Sequence, residues 1–320
     1  MTDLSIIVVS YKGWKRLSKC LEELNLYTGH KFTTEVIVVD NHSDDVTLNI
    51  IMERFPGFKF ILNSSNGGYA NGCNLGAQNA SGDFLLFLNP DTVASESEIE
   101  KLFVKAKQNP DYTILSCRQV NEKGKESIAS GSFPQFTNLT GFQRAVFKQS
   151  KSGTVIDETE VIFPDWVSGS VVLMKRDYFQ KIKGFDEDYW MYFEDVDLCK
   201  RVRDKGCNVA FCRDITIEHN HGGSSRISMN TTSLTKTEVL ISQHVYINKH
   251  KSGIERALIQ TFLIINNIVF LGCLGLLGLL FFFVPKVFVR TLIFVRLITY
   301  YAGSILRLSW LSPRSVNFHK

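Results

Sequence analysis

Two groups of acidic residues stand where this sequence could perform chemistry. Asp91 closes the segment Asn-Pro-Asp directly after the apolar run DFLLFL, and Glu194, Asp195 and Asp197 lie among aromatic residues in WMYFEDVDL. A carboxylate can bind a divalent cation, and a well-placed carboxylate can remove a proton from a hydroxyl group. Asp91 is therefore a candidate cation ligand, and one of the acids at 194–197 is a candidate general base. Both segments also have a structural interpretation, as a turn and as the first turn of a helix.

The elements that position these acids alternate between strand-like and helical patterns. Apolar runs predict strands at 4–10, 35–40, 58–62 and 83–88, and helical spacing or small residues predict helices at 14–26 and 68–80. Further along, strands are predicted at 166–174 and 208–211, and helices at 194–205 and 233–251. Strands without polar alternation are typical of a parallel sheet covered on both faces. We therefore expect an α/β architecture with a mostly parallel sheet of the nucleotide-binding type.

Polar residues follow three of the predicted strands. Ser10 and Tyr11 end the first strand, Asp40 ends the second, and Asn89 and Asp91 follow the fourth. Ligands of open parallel sheets bind outside the carboxyl ends of the strands. These side chains are therefore expected to line one crevice. The irregular stretch 119–164 is expected to supply loops on the side of the crevice where a second substrate, the acceptor, would bind.

The charge of the chain is unevenly distributed. Residues 249–320 carry nine Lys or Arg against one acid, a charge of +8, and residues 1–248 carry −4. A mildly acidic body with a basic, apolar tail is typical of a soluble head on an anionic membrane surface. The basic residues lie among apolar runs rather than in a polar groove, which argues against nucleic acid as a partner.

The tail predicts membrane attachment. Residues 257–285 are almost uninterruptedly apolar and long enough to span a bilayer, whereas 287–311 contain Arg290, Arg296 and Arg307 and are expected to lie in the interface. A hairpin or a monotopic helix pair would keep those charges on the cytoplasmic side. The alternative is a buried helical hairpin of a soluble protein. We divide the chain into residues 1–252, the catalytic part, and 253–320, the attachment helices.

The seven cysteines are odd in number and form no CxxC pair. They are therefore expected to be reduced thiols in a cytosolic setting. The N-terminus starts directly with strand-like residues, and no signal peptide is expected.

Six segments, in this order, resemble family 2 glycosyltransferases of the GT-A fold. They are SIIVVSYK, EVIVVDNHS, NGGYANGCNLG, DFLLFLNPDT, WVSGSVVLMKRD and GFDEDYWMYFEDVDLCKR. The resemblance covers roughly residues 3–225, and the combination of NPD with FEDVDLC is closest to the rhamnosyltransferase-like branch. It implies an enzyme that transfers a sugar from a nucleotide-diphosphate donor.

The resemblance also implies roles for single residues on the donor side. Asp91 would coordinate a divalent cation, Mg²⁺ or Mn²⁺, on the diphosphate, and Arg201 would either face the phosphates or pair with Asp197. The other donor-binding residues implied by the resemblance are Ser10, Tyr11, Asp40, Asn66, Gly67, Gly68, Asn71, Asn74, Asn89, His219, His221 and Ser224.

On the acceptor side, Asp195 matches the general base of the family, with Gly169, Trp190 and Glu194 beside it. The resemblance implies an inverting displacement, with dTDP-rhamnose as a donor and a lipid-linked saccharide as the acceptor at the cytoplasmic face of the inner membrane. Asn89 stands where many relatives have Asp, which puts the dependence on metal in question. The QxxRW motif of processive relatives is absent, so the transfer of a single sugar is expected.

Two other classes of function compete with this interpretation. A Rossmann oxidoreductase requires G-x-G-x-x-G after the first strand, and SYKGW does not supply it. A non-catalytic, membrane-bound protein that binds sugar nucleotides remains the alternative. It has no need for a base such as Asp195.

Overall fold

The computed structural model describes residues 2–27, 31–140, 160–220 and 228–318. The strands, in chain order β1 to β11, are Leu4–Ser10, Thr34–Asp40, Lys59–Leu62, Phe84–Leu88, Thr92–Val93, Tyr112–Val120, Ser130–Gly131, Val161–Ile162, Trp166–Val167, Val171–Lys175 and Asn208–His219. The helices of the described residues, α1 to α9, are Trp14–Leu24, Thr47–Arg54, Gly68–Gln78, Glu96–Gln108, Arg176–Lys181, Glu194–Asp204, Met229–His250, Gly253–Leu280 and Pro285–Arg307.

The main sheet has the strand order β3-β2-β1-β4-β10-β6-β11-β5, with β8 beside β11. Strands β1 to β4 are mutually parallel, β6 is parallel to β11, and β10 runs antiparallel between β4 and β6. This confirms the expected α/β fold with a mixed, mostly parallel sheet.

Both faces of the sheet are covered. Ile6 and Val8 of β1 belong to one hydrophobic cluster, whereas Ile7 and Val9 belong to a second cluster on the opposite face. Successive side chains of a strand point to opposite faces, so a strand buried on both faces needs apolar residues at every position. This accounts for the uninterrupted apolar runs in the sequence.

Two of the predicted strands differ from the structure. The predicted strand 166–174 is two strands, β9 and β10, because β9 leaves the main sheet to pair with β7 and Ser168–Ser170 form the connection. The strand predicted to end at residue 211 continues to His219, with a shift in register between Cys212 and Thr216. The charged pair at 213–214 lies in this irregularity, and in the sequence it resembles a turn. For this reason the predicted strand is shorter than the observed one.

The helices α8 and α9 form an antiparallel hairpin that packs against α7. Gly278 and Gly275 of α8 lie against Thr291 and Phe294 of α9 near the turn, and Asn267 donates a hydrogen bond to Tyr301 near the open end. Small residues at such positions let two helices approach closely. Both helices are long and apolar enough to cross a membrane.

The hairpin shares its interior with the catalytic part. A third hydrophobic cluster joins Tyr189 and Val196 to Ile241 of α7, Leu263 of α8 and Leu297 of α9. The predicted boundary at residue 252 therefore crosses a continuous core. The division into two domains stays a prediction about function.

Candidate active site

The carboxyl ends of β1, β2 and β4 lie at one edge of the sheet. In the register of the sheet Ser10 pairs with Asp40, and Val8 pairs with Leu88 immediately before Asn89. The structure therefore brings together the strand ends that the sequence singled out. They lie at the edge where open α/β sheets bind ligands.

The predicted donor-binding residues at the ends of β1 and β2 are organised around Asp40. Its carboxylate accepts hydrogen bonds from the backbone N–H of Ser43, at 3.0 Å, and from the Ser43 hydroxyl, which in turn accepts from the N–H of Lys12 at 2.8 Å. Ser10 is buried, whereas Tyr11 is 39% exposed at the mouth of the edge. Tyr11 thus has an aromatic face available for a ligand, while Asp40 fixes the loop that follows β2.

Asp91 and His219 face each other across two paired strands. Thr92 of β5 pairs with His219 of β11, and this pairing places Nε2 of His219 3.2 Å from Oδ1 of Asp91. The side-chain amide of Asn89 lies 3.4 Å from the same nitrogen. The structure therefore groups three of the predicted donor-side residues.

The tautomer of His219 follows from its second partner. Oε1 of Gln119 accepts a hydrogen bond from the Ser170 hydroxyl, at 2.8 Å, and the same oxygen lies 2.8 Å from Nδ1 of His219. With the amide in this orientation Nδ1 is the donor, which leaves Nε2 to face Asp91. When Nε2 carries no proton, it and the carboxylate can share a cation.

The residues present fit a divalent cation. A carboxylate and a neutral imidazole are ordinary ligands for Mn²⁺, and Mg²⁺ sites commonly combine one or two carboxylates with substrate phosphates. Within the described residues no group of three or more His, Cys, Asp and Glu could hold a metal by itself. Asp91 and His219 thus form an incomplete ligand set, which the oxygens of a diphosphate would complete.

Arg16 is a functional candidate that the sequence did not indicate. Its guanidinium lies 3.4 Å from Oδ2 of Asp91 and also donates to the backbone carbonyl of Asn220. It belongs to α1 and is distant from Asp91 along the chain. A lone arginine in an amphipathic helix gives no sequence signal, and the same holds for Gln119 in a strand.

Asp195 lies in the first turn of α6 and is held by backbone donors. Oδ2 accepts from the N–H of Gly169 at 2.8 Å, and Oδ1 accepts from the N–H of Val196 at 2.8 Å. Burial raises the pKa of Asp195, and the two N–H donors oppose that rise. The result is an oriented carboxylate that is a stronger base than an exposed aspartate.

Gly169, predicted on the acceptor side, contacts the candidate base directly. A Cβ atom at this position would lie 3.2 Å from the Cβ of Asp195, and the carbonyl of Gly169 accepts a hydrogen bond from the Tyr69 hydroxyl at 2.8 Å. A side chain here would crowd Asp195, so the small residue serves to position the carboxylate.

Glu194 has a different environment from its neighbour. The residue is 6% exposed, and its Oε2 has no hydrogen-bond partner among the described residues. Burial, together with the Asp195 carboxylate, raises the pKa of Glu194 well above its usual range. Glu194 therefore keeps its proton to a higher pH than an exposed glutamate does, beside an Asp195 carboxylate that accepts two backbone hydrogen bonds.

Asp195 opens onto a cavity of about 490 Å³. The predicted acceptor-side loops contribute to its wall, together with the start of α6 and the face of α7. The residues lining it include Ser132, Asn138, Trp166, Ser168, Tyr192, Phe193, Val239 and Gln243. Aromatic faces beside amide and hydroxyl groups are suited to a saccharide.

The small residues around the start of α3, which were predicted on the donor side, pack against the segment that precedes α6. Gly68 has φ +88°, and a Cβ atom there would lie 1.8 Å from the carbonyl oxygen of Trp190. The N–H of Tyr69 donates to that carbonyl at 3.0 Å, and Nε1 of Trp190 donates to the carbonyl of Asn66 at 3.1 Å. The close approach at Gly68 is therefore between two parts of the protein.

Two of the predicted donor-binding side chains have partners within the protein instead. Asn71 donates to Glu187 at 3.0 Å, and Asn74 donates to the same carboxylate at 2.8 Å. These bonds tie α3 to the segment before Trp190. Glu187 was not predicted, because it lies in a run of acids, 186–188, that resembles a solvated loop.

Arg201 resolves in favour of the pairing alternative. Its Nε lies 2.7 Å from Oδ2 of Asp197, and its two terminal nitrogens donate to the carbonyls of Ile182 and Gly184 at 2.8 Å each. Asp197 also contacts His250 of α7 at 2.7 Å. The structure thus places Arg201 in a structural network that fixes α6, and the expectation that it faces the phosphates is not met.

Gly67, which was predicted on the donor side, lies against Val316 near the C-terminus. His221 and Ser224 lie outside the described residues.

The sequence matches two family models. The model described as glycosyl transferase family 2 matches residues 5–168, about half of the chain. The model described as the N-terminal domain of galactosyltransferase matches residues 155–221.

Several curated proteins are similar to the chain. It is 28% identical over 209 residues to the rhamnosyltransferase WbbL of Escherichia coli, covering 62% of this chain and 75% of that protein. It is 27% identical over 245 residues to an N-acetylglucosaminyl-diphospho-decaprenol L-rhamnosyltransferase of Mycobacterium tuberculosis, covering 70% and 78%. It is 26% identical over 224 residues to the low-salt glycan biosynthesis hexosyltransferase Agl10 of Haloferax volcanii, covering 69% and 68%.

Two solved structures share the fold at 16% identity. One is GalNAc-T7 with UDP, GalNAc and Mn²⁺, at a TM-score of 0.54 over 77% of this chain and 50% of that chain. The other is S. aureus TarS, at 0.51 over 83% and 44%. The sheet order, the strand-end site and the match over half of the sequence lead to one assignment: the chain belongs to glycosyl transferase family 2, and it is a glycosyltransferase with the GT-A fold, similar to rhamnosyltransferases.

Proposed function

We propose that this glycosyltransferase moves a single sugar, with inversion, from a nucleotide-diphosphate donor to a hydroxyl group of a lipid-linked saccharide. One observation carries the proposal: a single short segment joins the donor side to the base. Asn89 donates its N–H to the carbonyl of Ser170 at 3.0 Å, and the N–H of the preceding Gly169 binds Asp195 at 2.8 Å. The cation ligands and the base therefore flank the start of β10.

Asp195 performs the proton transfer in this mechanism. Its carboxylate accepts the proton of the acceptor hydroxyl as the oxygen attacks the anomeric carbon, and the nucleoside diphosphate leaves from the opposite face. Gly169 and Val196 hold the carboxylate in one orientation throughout. The raised pKa of Glu194 disfavours a second negative charge beside the approaching oxygen.

Asp91 and His219 bind the diphosphate end of the donor. These two residues would hold a divalent cation, Mg²⁺ or Mn²⁺, which would supply positive charge against the charge that develops on the leaving diphosphate. Arg16 adds a second cationic group beside Asp91. Tyr11 and the loop fixed by Asp40 lie where the nucleoside would bind.

Residues 253–320 attach the enzyme to the cytoplasmic face of the cell membrane in this proposal. Large apolar side chains are exposed along α8 and around the turn of the hairpin, and several of them are more than half exposed, including Leu276, Leu279, Leu280, Phe282 and Phe283. Exposed apolar surface on this scale is typical of a membrane contact. Attachment would keep the cavity at Asp195 close to a lipid-linked acceptor.

The test is the release of nucleoside diphosphate from dTDP-, UDP- and GDP-sugars, in membranes that carry lipid-linked acceptors. Similarity to rhamnosyltransferases makes dTDP-rhamnose the first donor to try. Release from one donor that requires the acceptor and is lost in Asp195→Asn establishes transfer and identifies the donor. Donor binding by both proteins, without turnover on any acceptor, would favour the alternative of a non-catalytic sugar-nucleotide-binding protein.

A further inference from the structure

A second cavity, of about 500 Å³, lies between α7, α9 and the C-terminal segment 309–318. It shares no lining residue with the cavity at Asp195. Its floor is formed by buried residues, among them Glu238, Ile241, Tyr300 and Ser304. Its wall contains three arginines, which are Arg296, Arg307 and Arg314.

Two of these arginines are oriented by aromatic rings. The guanidinium of Arg307 lies 4.3 Å from the ring centre of Phe318, and that of Arg314 lies 5.3 Å from the ring centre of Trp190. Within the part of the chain that the structure describes, neither guanidinium makes a hydrogen bond. Stacking fixes the plane of a guanidinium and leaves its N–H edge available for an anion.

The third arginine is held at the wall by polar partners. Arg296 donates to the hydroxyl of Ser233 at 3.2 Å and to the side chain of Asn230. The three arginines oppose the single carboxyl of Glu238, so the cavity has an excess of positive charge.

Glu238 is the unusual group on the floor. Its side chain is 3% exposed, and its Oε2 has no hydrogen-bond partner among the described residues. The Ser312 hydroxyl donates a hydrogen bond to the carboxyl group. The nearest charged group is Arg314, whose Nε lies 3.9 Å from Oε1, and Arg296 and Tyr300 also face it. Folded proteins rarely leave a buried carboxyl oxygen unpaired. A polar group of a ligand is the missing partner that the cavity can accommodate.

The surroundings of the cavity are apolar and exposed. Val295, on its wall, is 56% exposed, and the adjacent Ile305, Leu306 and Leu308 are 71%, 85% and 93% exposed. A charged pocket beside an exposed apolar surface suits an amphiphile with an anionic head.

We propose that this cavity binds the phosphate-bearing head group of a membrane lipid. The arginines bind phosphate oxygens, and the apolar surface contacts the lipid chains. Burial raises the pKa of Glu238 to about 7, so that its protonated form is accessible near neutral pH and can donate a hydrogen bond to a phosphate oxygen. The proposal rests on the membrane attachment proposed above. Two lipids could supply the phosphate, a bulk anionic phospholipid or the diphosphate of a lipid-linked acceptor.

Gly303 provides a test that leaves the charge unchanged. It lines the cavity, and a Cβ atom there would meet nothing within 4 Å, so Gly303→Phe fills the space without displacing the backbone. The neighbouring Ala302 is exposed and does not line the cavity, which makes Ala302→Phe the matched control. The full-length protein is floated with vesicles of phosphatidylcholine, with and without phosphatidylglycerol.

The preference is the ratio of binding to vesicles with and without phosphatidylglycerol. We expect this ratio to be about tenfold lower in Gly303→Phe than in wild type, and unchanged in Ala302→Phe. The exposed Arg307→Gln, which does not endanger folding, should lose it as well, and Arg290→Gln on the same helix but outside the cavity should lose less. Equal preference in wild type, Gly303→Phe and Arg307→Gln would overturn the proposal.

The two sources are separated by competition. If polyprenyl diphosphate displaces phosphatidylglycerol from wild type but has no effect on Gly303→Phe, the acceptor diphosphate is the ligand. If polyprenyl diphosphate does not displace phosphatidylglycerol from wild type, the ligand is the bulk phospholipid. Asp195→Asn should bind lipid like wild type, so a failure of the proposed transfer reaction is visible independently of this site.

Discussion

At the scale of single residues, the active site depends on two adjacent carboxyl groups with different surroundings. Asp195 accepts two backbone hydrogen bonds, whereas the buried Oε2 of Glu194 accepts none from the described residues. Burial raises the pKa of both, and that of Glu194 rises well above its usual range. Environment alone therefore separates a proton acceptor from a neutral neighbour.

This difference predicts unequal effects of two amide substitutions. Asp195→Asn removes the base and should lower kcat by about 10²- to 10⁴-fold, the usual contribution of general base catalysis. Glu194→Gln leaves the base in place and replaces a carboxyl group whose raised pKa favours the neutral form, so it should change kcat by less than about tenfold. The measurement is acceptor-dependent release of nucleoside diphosphate at saturating donor, with the KM for donor as a control.

The same assignment sets the direction of the pH dependence. Asp195 acts as a base only when it is ionised, so kcat/KM for the acceptor should be at its maximum above the raised pKa. It should fall as the pH drops through that value, which lies above that of an ordinary aspartate.

For the two amide substitutions, a larger loss of kcat in Glu194→Gln than in Asp195→Asn would contradict the assignment of roles.

At the scale of elements, the site depends on the contact between the start of α3 and the segment before α6. Gly68 has a positive φ, and its missing side chain leaves room for the carbonyl of Trp190. Asn71 and Asn74 hold Glu187 of the same segment. The segment leads directly into the first turn of α6. The contact with α3 therefore determines the position of that turn, and with it the position of Asp195.

Gly68→Ala should therefore displace this segment and lower both stability and kcat. Gly206→Ala is the matched control, because Gly206 also has a positive φ, +74°, but a Cβ atom there meets nothing within 4 Å. The control should lose only the backbone strain, about 1–2 kcal/mol of the free energy of unfolding. Thermal unfolding in detergent and transfer activity measure the two effects, and equal losses in both variants would argue against the contact at Trp190.

At the scale of the whole molecule, the C-terminal segment returns from the hairpin to the active-site region. Ser315 donates to the carbonyl of Glu187 at 2.9 Å, and Asn317 donates to Asp188 at 2.8 Å. Glu187 in turn receives hydrogen bonds from α3. The end of the chain thus supports the same segment that α3 supports, and it does so from the side of the proposed membrane attachment.

Replacing Ser315 and Asn317 together by alanine should lower kcat roughly tenfold, since small displacements of a reacting group are costly. Binding to phosphatidylcholine vesicles, which depends on the apolar hairpin, should not change, because the hairpin is intact. Ser309→Ala serves as the control, as its hydroxyl accepts from the N–H of Leu311 within the C-terminal segment. A loss of vesicle binding with unchanged kcat would show that these contacts serve attachment and not the active site.

The sequence by itself determined the sheet and the chemistry of its strand ends. Apolar runs predicted β1 to β4, because a strand buried on both faces has no position for a polar side chain. The parallel direction of these strands then placed Ser10, Asp40 and Asn89 at one edge. The motif around Asp195 and the resemblance it carries indicated the family, which the comparisons confirm.

The tertiary structure decided which side chains share a site and which hold the fold. Arg16 and Gln119 reach Asp91 and His219 only through pairing of distant elements, a relation that no local pattern records. Arg201 and Asn71 were polar residues near a motif in sequence, yet their hydrogen bonds go to protein partners, which buried polar groups need. The return of the C-terminal segment to Glu187 is likewise a matter of packing. Periodicity reports burial along one element, whereas contacts between elements depend on how all of them pack together.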